Sequence, residues 1–167
     1  MRRFSDLSRM LQERRLGFAT DEVMTGQHRF EPGFGPEGEL PFEFRVTWGP
    51  PNVLAWLDPA DPAFMKHTLK GTVTAGGLGE DLPCEGSLDL LYFTKHLIRY
   101  AFTFEARGTV YRYVGEKVNI KLWNLPVSHT TCFGRLTERE SGRLVSTSVT
   151  HFRLRTLPAF LGSFRFA

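Results

Sequence analysis

Apolar and polar side chains alternate along residues 97–107. Ile98, Tyr100, Phe102, Phe104 and Ala106 share one face of an extended chain, and Arg99, Thr103, Glu105 and Arg107 share the other. A period of two marks a strand with one buried and one wet face. The same pattern recurs at 42–48, where Phe42, Phe44, Val46 and Trp48 alternate with Glu43, Arg45 and Thr47. It recurs at 67–75, with Leu69, Gly71, Val73 and Ala75 aligned, and at 109–114, with Tyr111 and Tyr113 aligned. Segments 85–93, 116–123, 130–138 and 144–154 complete the set, and Gly49-Pro50-Pro51, Gly76 to Gly79, Gly108, Gly115 and Gly142 punctuate it. About eight or nine strands follow, joined by tight turns, with no helix long enough for a parallel crossover. This predicts an all-β fold: an antiparallel calycin-like (lipocalin-like) β-barrel, since closure removes the sheet edges.

The first 38 residues read differently. Phe4, Leu7, Met10 and Leu11 recur at helical spacing, Ser5 is a plausible N-cap and Gly17 a stop, so a short helix is expected over 5–16. Its expected place is across one end of the barrel; contact with an anionic membrane surface is the minor alternative. Residues 17–40 hold Gly26, Pro32, Gly33, Gly35, Pro36 and Gly38, a density of breakers that predicts a loop or arm. The expected division is an N-terminal helix and Gly/Pro-rich arm at 1–38, then the barrel at 39–167. Within the barrel, Asp58-Pro59 and Asp61-Pro62 suggest capped single helical turns.

Composition adds limits. At 167 residues the chain can bury roughly two thirds of its unfolded surface, so neither metal nor disulfide is required for folding. Fifteen phenylalanines could fill a β core or line a cavity. The net charge is +3, acids interrupt the basic residues almost everywhere, and no basic stripe lies outside the first 15 residues, which argues against a nucleic-acid partner. Cys84 and Cys132 form no metal-ligand spacing and read as two buried, reduced thiols. Asp6, Arg9, Gln12 and Glu13 interrupt any signal-peptide core, and no run approaches roughly 18 apolar residues. A cytoplasmic protein is expected.

Candidate chemistry is sparse. Gly76-Gly77-Leu78-Gly79 lacks the phosphate-loop spacing, and no dinucleotide fingerprint occurs, so no cofactor is expected. His28, His67, His96, His129 and His151 make no HxH or HxxxH pair, so no metal is expected. Ser128 lies in no nucleophile elbow. Along 144–154, Ser146, Ser148 and Thr150 share a face with Phe152, while Val145, Val149 and His151 take the other. That polar face either meets solvent or forms the wall of a binding cavity. If the barrel is hollow, the expected ligand contacts are Tyr100, Phe102, Phe104, Tyr111, Tyr113, Trp123, His129 and His151. His129 beside Trp123 would stand at the mouth, where it could orient a ligand or move a proton.

A resemblance sharpens this. The segments that carry it are Leu69-Lys70-Gly71-Thr72-Val73, Glu85 to Leu91, Ile98-Arg99-Tyr100, Gly115-Glu116-Lys117-Val118, Leu122-Trp123, Thr130-Thr131 and Val149 to Arg153. With Phe160 to Phe164 they make residues 64 to 165 resemble the small β-barrel domain found with bacterial glucose–methanol–choline (cholesterol-oxidase-like) flavin oxidoreductases. His129 stands where that domain carries an acidic residue. The resemblance implies a non-catalytic binding or accessory module for an apolar, sterol-like or acyl molecule, partnering a flavin oxidoreductase. Two alternatives remain: a small barrel enzyme, an isomerase or cyclase acting on an apolar substrate, and a filled-barrel interaction domain.

Overall fold

The computed structural model describes residues 9, 16–91, 95–118, 130–152 and 157–166. Eight antiparallel strands form a closed barrel: β1 (Phe18–Phe30), β2 (Leu40–Gly49), β3 (Lys66–Ala75), β4 (Gly79–Leu91), β5 (Leu97–Ala106), β6 (Thr109–Lys117), β7 (Thr131–Glu138) and β8 (Leu144–Phe152). Each pairs with the next in sequence. β8 returns to β1, matching Met24 with Phe152 and Phe30 with Ser146, while β1 pairs with β2 on its other side. A two-residue strand, β9 (Arg165–Phe166), extends β1 at Phe18 and Ala19. Helix α1 (Val53–Leu57) sits between β2 and β3, and α2 (Leu157–Gly162) precedes β9.

Local chemistry explains several joints. Arg107 and Gly108 both take positive φ (52° and 78°), the backbone of a two-residue I′ hairpin whose twist matches the β5–β6 pair. The Asn52 carboxamide oxygen accepts from the N–H groups of Leu54 and Ala55 and caps α1. The Asp58 and Asp61 carboxylates cap turns in the same way, accepting from Ala60 and Ala63.

The inward faces of β2, β3 and β5 are those the alternation predicts: Phe42, Phe44, Val46, Leu69, Val73, Ala75, Ile98, Tyr100, Phe102, Phe104 and Ala106 are all buried. Three expectations need correction. Residues 17–40 are not an arm. Residues 18–30 form β1, a full staff of the barrel, so a boundary at 38 falls between two paired strands of one domain. The alternation is present there, but its inward members are Thr20, Glu22, Met24, His28 and Phe30, mostly polar. β6 does not stop at Gly115; it runs to Lys117, because Gly115 faces inward under the Tyr113 ring and the ladder continues through it. The expected strand at 116–123 therefore begins inside β6, and its residues 119–123 lie outside the described residues. The expected helix at 5–16 lies outside them too, apart from Arg9, which is helical, and Leu16. No helix among the described residues is long and apolar enough to cross a membrane.

Candidate functional site

The barrel interior is filled. The Tyr113 ring lies between Phe42 and Phe102, stacked on both at centroid distances of 5.1 and 4.8 Å. Phe44 meets Tyr100, Phe102 and Tyr113 at 5.4, 5.4 and 5.7 Å, and Phe104 stacks on Tyr111 at 5.6 Å. A water-sized cavity would leave accessible surface on its walls. Met24, Phe44, Val73, Tyr113, Cys132 and Thr150 have none, and Tyr100, Phe102 and Phe104 keep 3% or less. Tyr100, Phe102, Phe104, Tyr111 and Tyr113 thus point inward as expected, but they touch one another. The polar face of β8 also points inward. Ser148 Oγ lies 3.2 Å from the Tyr113 hydroxyl, and Ser146 Oγ lies 3.1 Å from His28 Nδ1. His28 Nε2 donates to the Gly76 carbonyl, so Nδ1 accepts from Ser146, and this tie closes the end of the barrel where β3 turns into β4. Burial lowers the His28 pKa.

The opposite end, beside α1, holds the charged chemistry. Glu22 points into the barrel and is 5% exposed. Its Oε1 accepts from Lys117 Nζ at 2.8 Å and its Oε2 from Trp48 Nε1 at 2.9 Å; the Tyr100 hydroxyl lies 3.0 Å from both oxygens. Lys117 also lies over the Tyr100 ring, 5.1 Å from its centroid. Burial, with the Glu22 charge added to it, raises the Tyr100 pKa far above its ordinary value. Four contacts nearly saturate a carboxylate, so Glu22 is held as an anchor rather than freed as a base.

His67 closes this end within a ring cluster, at 4.9 Å from Trp48, 5.5 Å from Trp56 and 6.1 Å from Phe18. Its Nδ1 donates to the Leu88 carbonyl at 3.0 Å, which leaves the lone pair on Nε2. Among the described residues, that nitrogen and Trp56 Nε1 are buried without a hydrogen-bond partner. Burial pulls the His67 pKa down to about 4.

Open space lies outside the staves. A groove of about 1310 Å³ crosses the outer faces of β6, β7, β8, β1 and β2. Phe133 and Val149 are directly paired across β7 and β8, and are 53% and 40% exposed at its floor. Val114 on β6 and Val118 just beyond its end extend the apolar area. Arg135, two residues beyond Phe133 on the same outward face, makes no ion pair with any described residue, whereas Arg29 faces Glu39 at 3.6 Å. His151 belongs here. It points out of the barrel and lines the groove, with Nδ1 3.2 Å from the Thr131 hydroxyl, so it cannot contact an interior ligand. Trp123 and His129 lie outside the described residues.

The chain carried one signal for the groove: Phe133 is a lone aromatic between Thr131 and Arg135 on an otherwise wet face. Glu22, Lys117 and His67 gave none, since their partners are remote in sequence. Among the described residues no three His, Cys, Asp or Glu side chains gather as metal ligands would. No protein-family model, no curated protein and no solved structure matches the chain.

Proposed function

We propose that this barrel is a non-catalytic binding module for an apolar small molecule with one polar head, an acyl or sterol-like compound, held on its outer face. The observation that carries the reading is the exposed Phe133–Val149 pair at the floor of a 1310 Å³ groove, set against an interior with no room. Ligand sites are concave, mostly apolar and marked by a few placed polar groups. Phe133 and Val149 supply the apolar floor, and Arg135 supplies a cation for an acidic head. A calycin-like type belongs to the same proposal, supported by the next-neighbour order of the eight strands. An accessory role beside a flavin oxidoreductase rests on the sequence resemblance alone.

The test is native mass spectrometry with long-chain fatty acids and sterols. Saturable binding by the parent protein is expected. Phe133→Ser should abolish it, and Arg135→Gln should weaken the acids but not the sterols. No saturable binding would refute the proposal and leave the filled-barrel interaction domain. Binding indifferent to Phe133→Ser would refute the assigned groove.

A further inference from the structure

We infer that the ligand of the outer groove carries a hydroxyl at the end opposite its acidic head, as a terminally hydroxylated fatty acid does. The hydroxyl presupposes the groove ligand proposed above, an apolar body with its acid at Arg135. The strand register sets outward side chains in rows across β7, β8 and β1. One row holds Phe133 and its partner Val149, then Gln27 on β1. The row on one side of it runs Arg135, Thr147, Arg29. The row on the other side runs Thr131, His151, Thr25. Rows are two residues apart along a strand, so Arg135 and Thr131 stand about 13 Å apart on β7 at roughly 3.3 Å per residue. The apolar floor is thus one row wide between two polar rows. A chain lying along β7 over Phe133 meets a cation at one end and a hydroxyl–imidazole pair at the other.

The second end suits a group that both gives and takes a hydrogen bond. His151 Nδ1 lies 3.2 Å from the Thr131 hydroxyl. In one tautomer the hydroxyl donates to Nδ1, which leaves the Nε2–H as a donor and a lone pair on the threonine oxygen. In the other Nδ1–H donates to that oxygen, which leaves Nε2 as an acceptor and the threonine proton as a donor. Either way the pair keeps one donor and one acceptor. An alcohol satisfies both. A methyl end satisfies neither, and a carboxylate, which only accepts, satisfies one. Charge argues the same way. Glu43 is paired in register with Thr25 in the His151 row, and Glu116 with Phe133 in the middle row. Arg45 holds Glu43 at 2.6 Å and Arg99 holds Glu116 at 2.8 Å, so among the described residues no cation at that end is left for a second anion. Glu39 faces Arg29 in the opposite row, and Arg135 remains for the acid.

The test compares 12-hydroxydodecanoate, whose extended chain is of about the required length, with dodecanoate and dodecanedioate. Native mass spectrometry of the full chain reads all three. The hydroxy acid should bind about fivefold more tightly than dodecanoate, the worth of a hydrogen bond at a partly wet site. The diacid should bind more weakly than the hydroxy acid. On an apolar floor alone an added hydroxyl would weaken binding, so the sign of the difference is diagnostic. Thr131→Val with His151→Phe should erase the preference while dodecanoate stays bound, which also shows the variant folded. Arg135→Gln should weaken both monoacids and keep their ratio. Dodecanoate bound as tightly as the hydroxy acid would overturn the inference and leave the groove reading standing. So would a preference that survives in the double variant. Binding of none of the three would overturn both.

Discussion

Replacing Lys117 with Met should destabilise the barrel by about 3–5 kcal/mol, the cost of stranding a buried carboxylate. The estimate follows from the surroundings of Glu22. Lys117 Nζ stands 2.8 Å from Oε1, and both side chains are 5% exposed. At an effective dielectric of about 20 the gross attraction is roughly 6 kcal/mol, a sum that desolvation of the two ions largely offsets. Met fills the volume of the lysine stem but offers no charge. Glu22 then keeps only Trp48 and Tyr100 as donors, and the full penalty of its burial returns. Adding Glu22→Gln removes that charge. The double variant should therefore be more stable than Lys117→Met alone, by about 1–3 kcal/mol. Urea unfolding followed by circular dichroism measures Lys117→Met, Glu22→Gln and the double variant against the parent, with equal slopes required for the comparison. A cost below about 1 kcal/mol for Lys117→Met would show that water reaches the pair. Additive single effects would show that the two side chains do not interact.

Two further outcomes follow from the same interior. Gly134→Ala should cost about 1–3 kcal/mol in urea unfolding, because a β-carbon there would run into the Tyr113 hydroxyl and Ser148 Oγ; an unchanged midpoint would mean that Tyr113 does not lie over Gly134. Acid should weaken the fold through His67: its folded pKa is about 4 against 6.5 when free, so the unfolded chain takes up the proton first as pH falls. The stability it supports is complete above about pH 6.5 and falls by about 3 kcal/mol on the way to pH 4, with His28 adding a loss of the same sign. Thermal melts across that window check it, and a His67→Asn variant should show a smaller acid loss.

The sequence was legible where burial is apolar on one face and polar on the other. β2, β3 and β5 have that form, and their inward residues can be read directly. β1 does not, because its inner face carries Thr20, Glu22 and His28, whose partners Ser163, Lys117 and Ser146 are remote in sequence. Lys117 comes from β6, 95 residues along the chain from Glu22, a distance that no local pattern spans. The polar face of β8 was visible as a pattern, but its direction depends on Tyr113 and His28, which lie on other strands. Gly115 looked like a stop. It is instead a seat for the ring of Tyr113, two residues back on the same inward face, with Cys132 of β7 beside it. For the groove, Phe133 on a wet face was a hint, and its pairing with Val149 required the register.

The seam between β1 and β8 has a consequence for synthesis. Met24 pairs with Phe152, so the barrel closes only when its first and eighth strands are available together. During translation β1 and β2 can pair early, yet β1 must wait with its other edge open until β8 has left the ribosome. A chain stalled after β7 would present two unpaired edges, the form most prone to joining another chain. A late closing contact also slows folding, because its loop entropy must be met before the seam contributes stability. Termination between β7 and β8, rather than before the barrel strands have formed, should therefore yield the more aggregation-prone product.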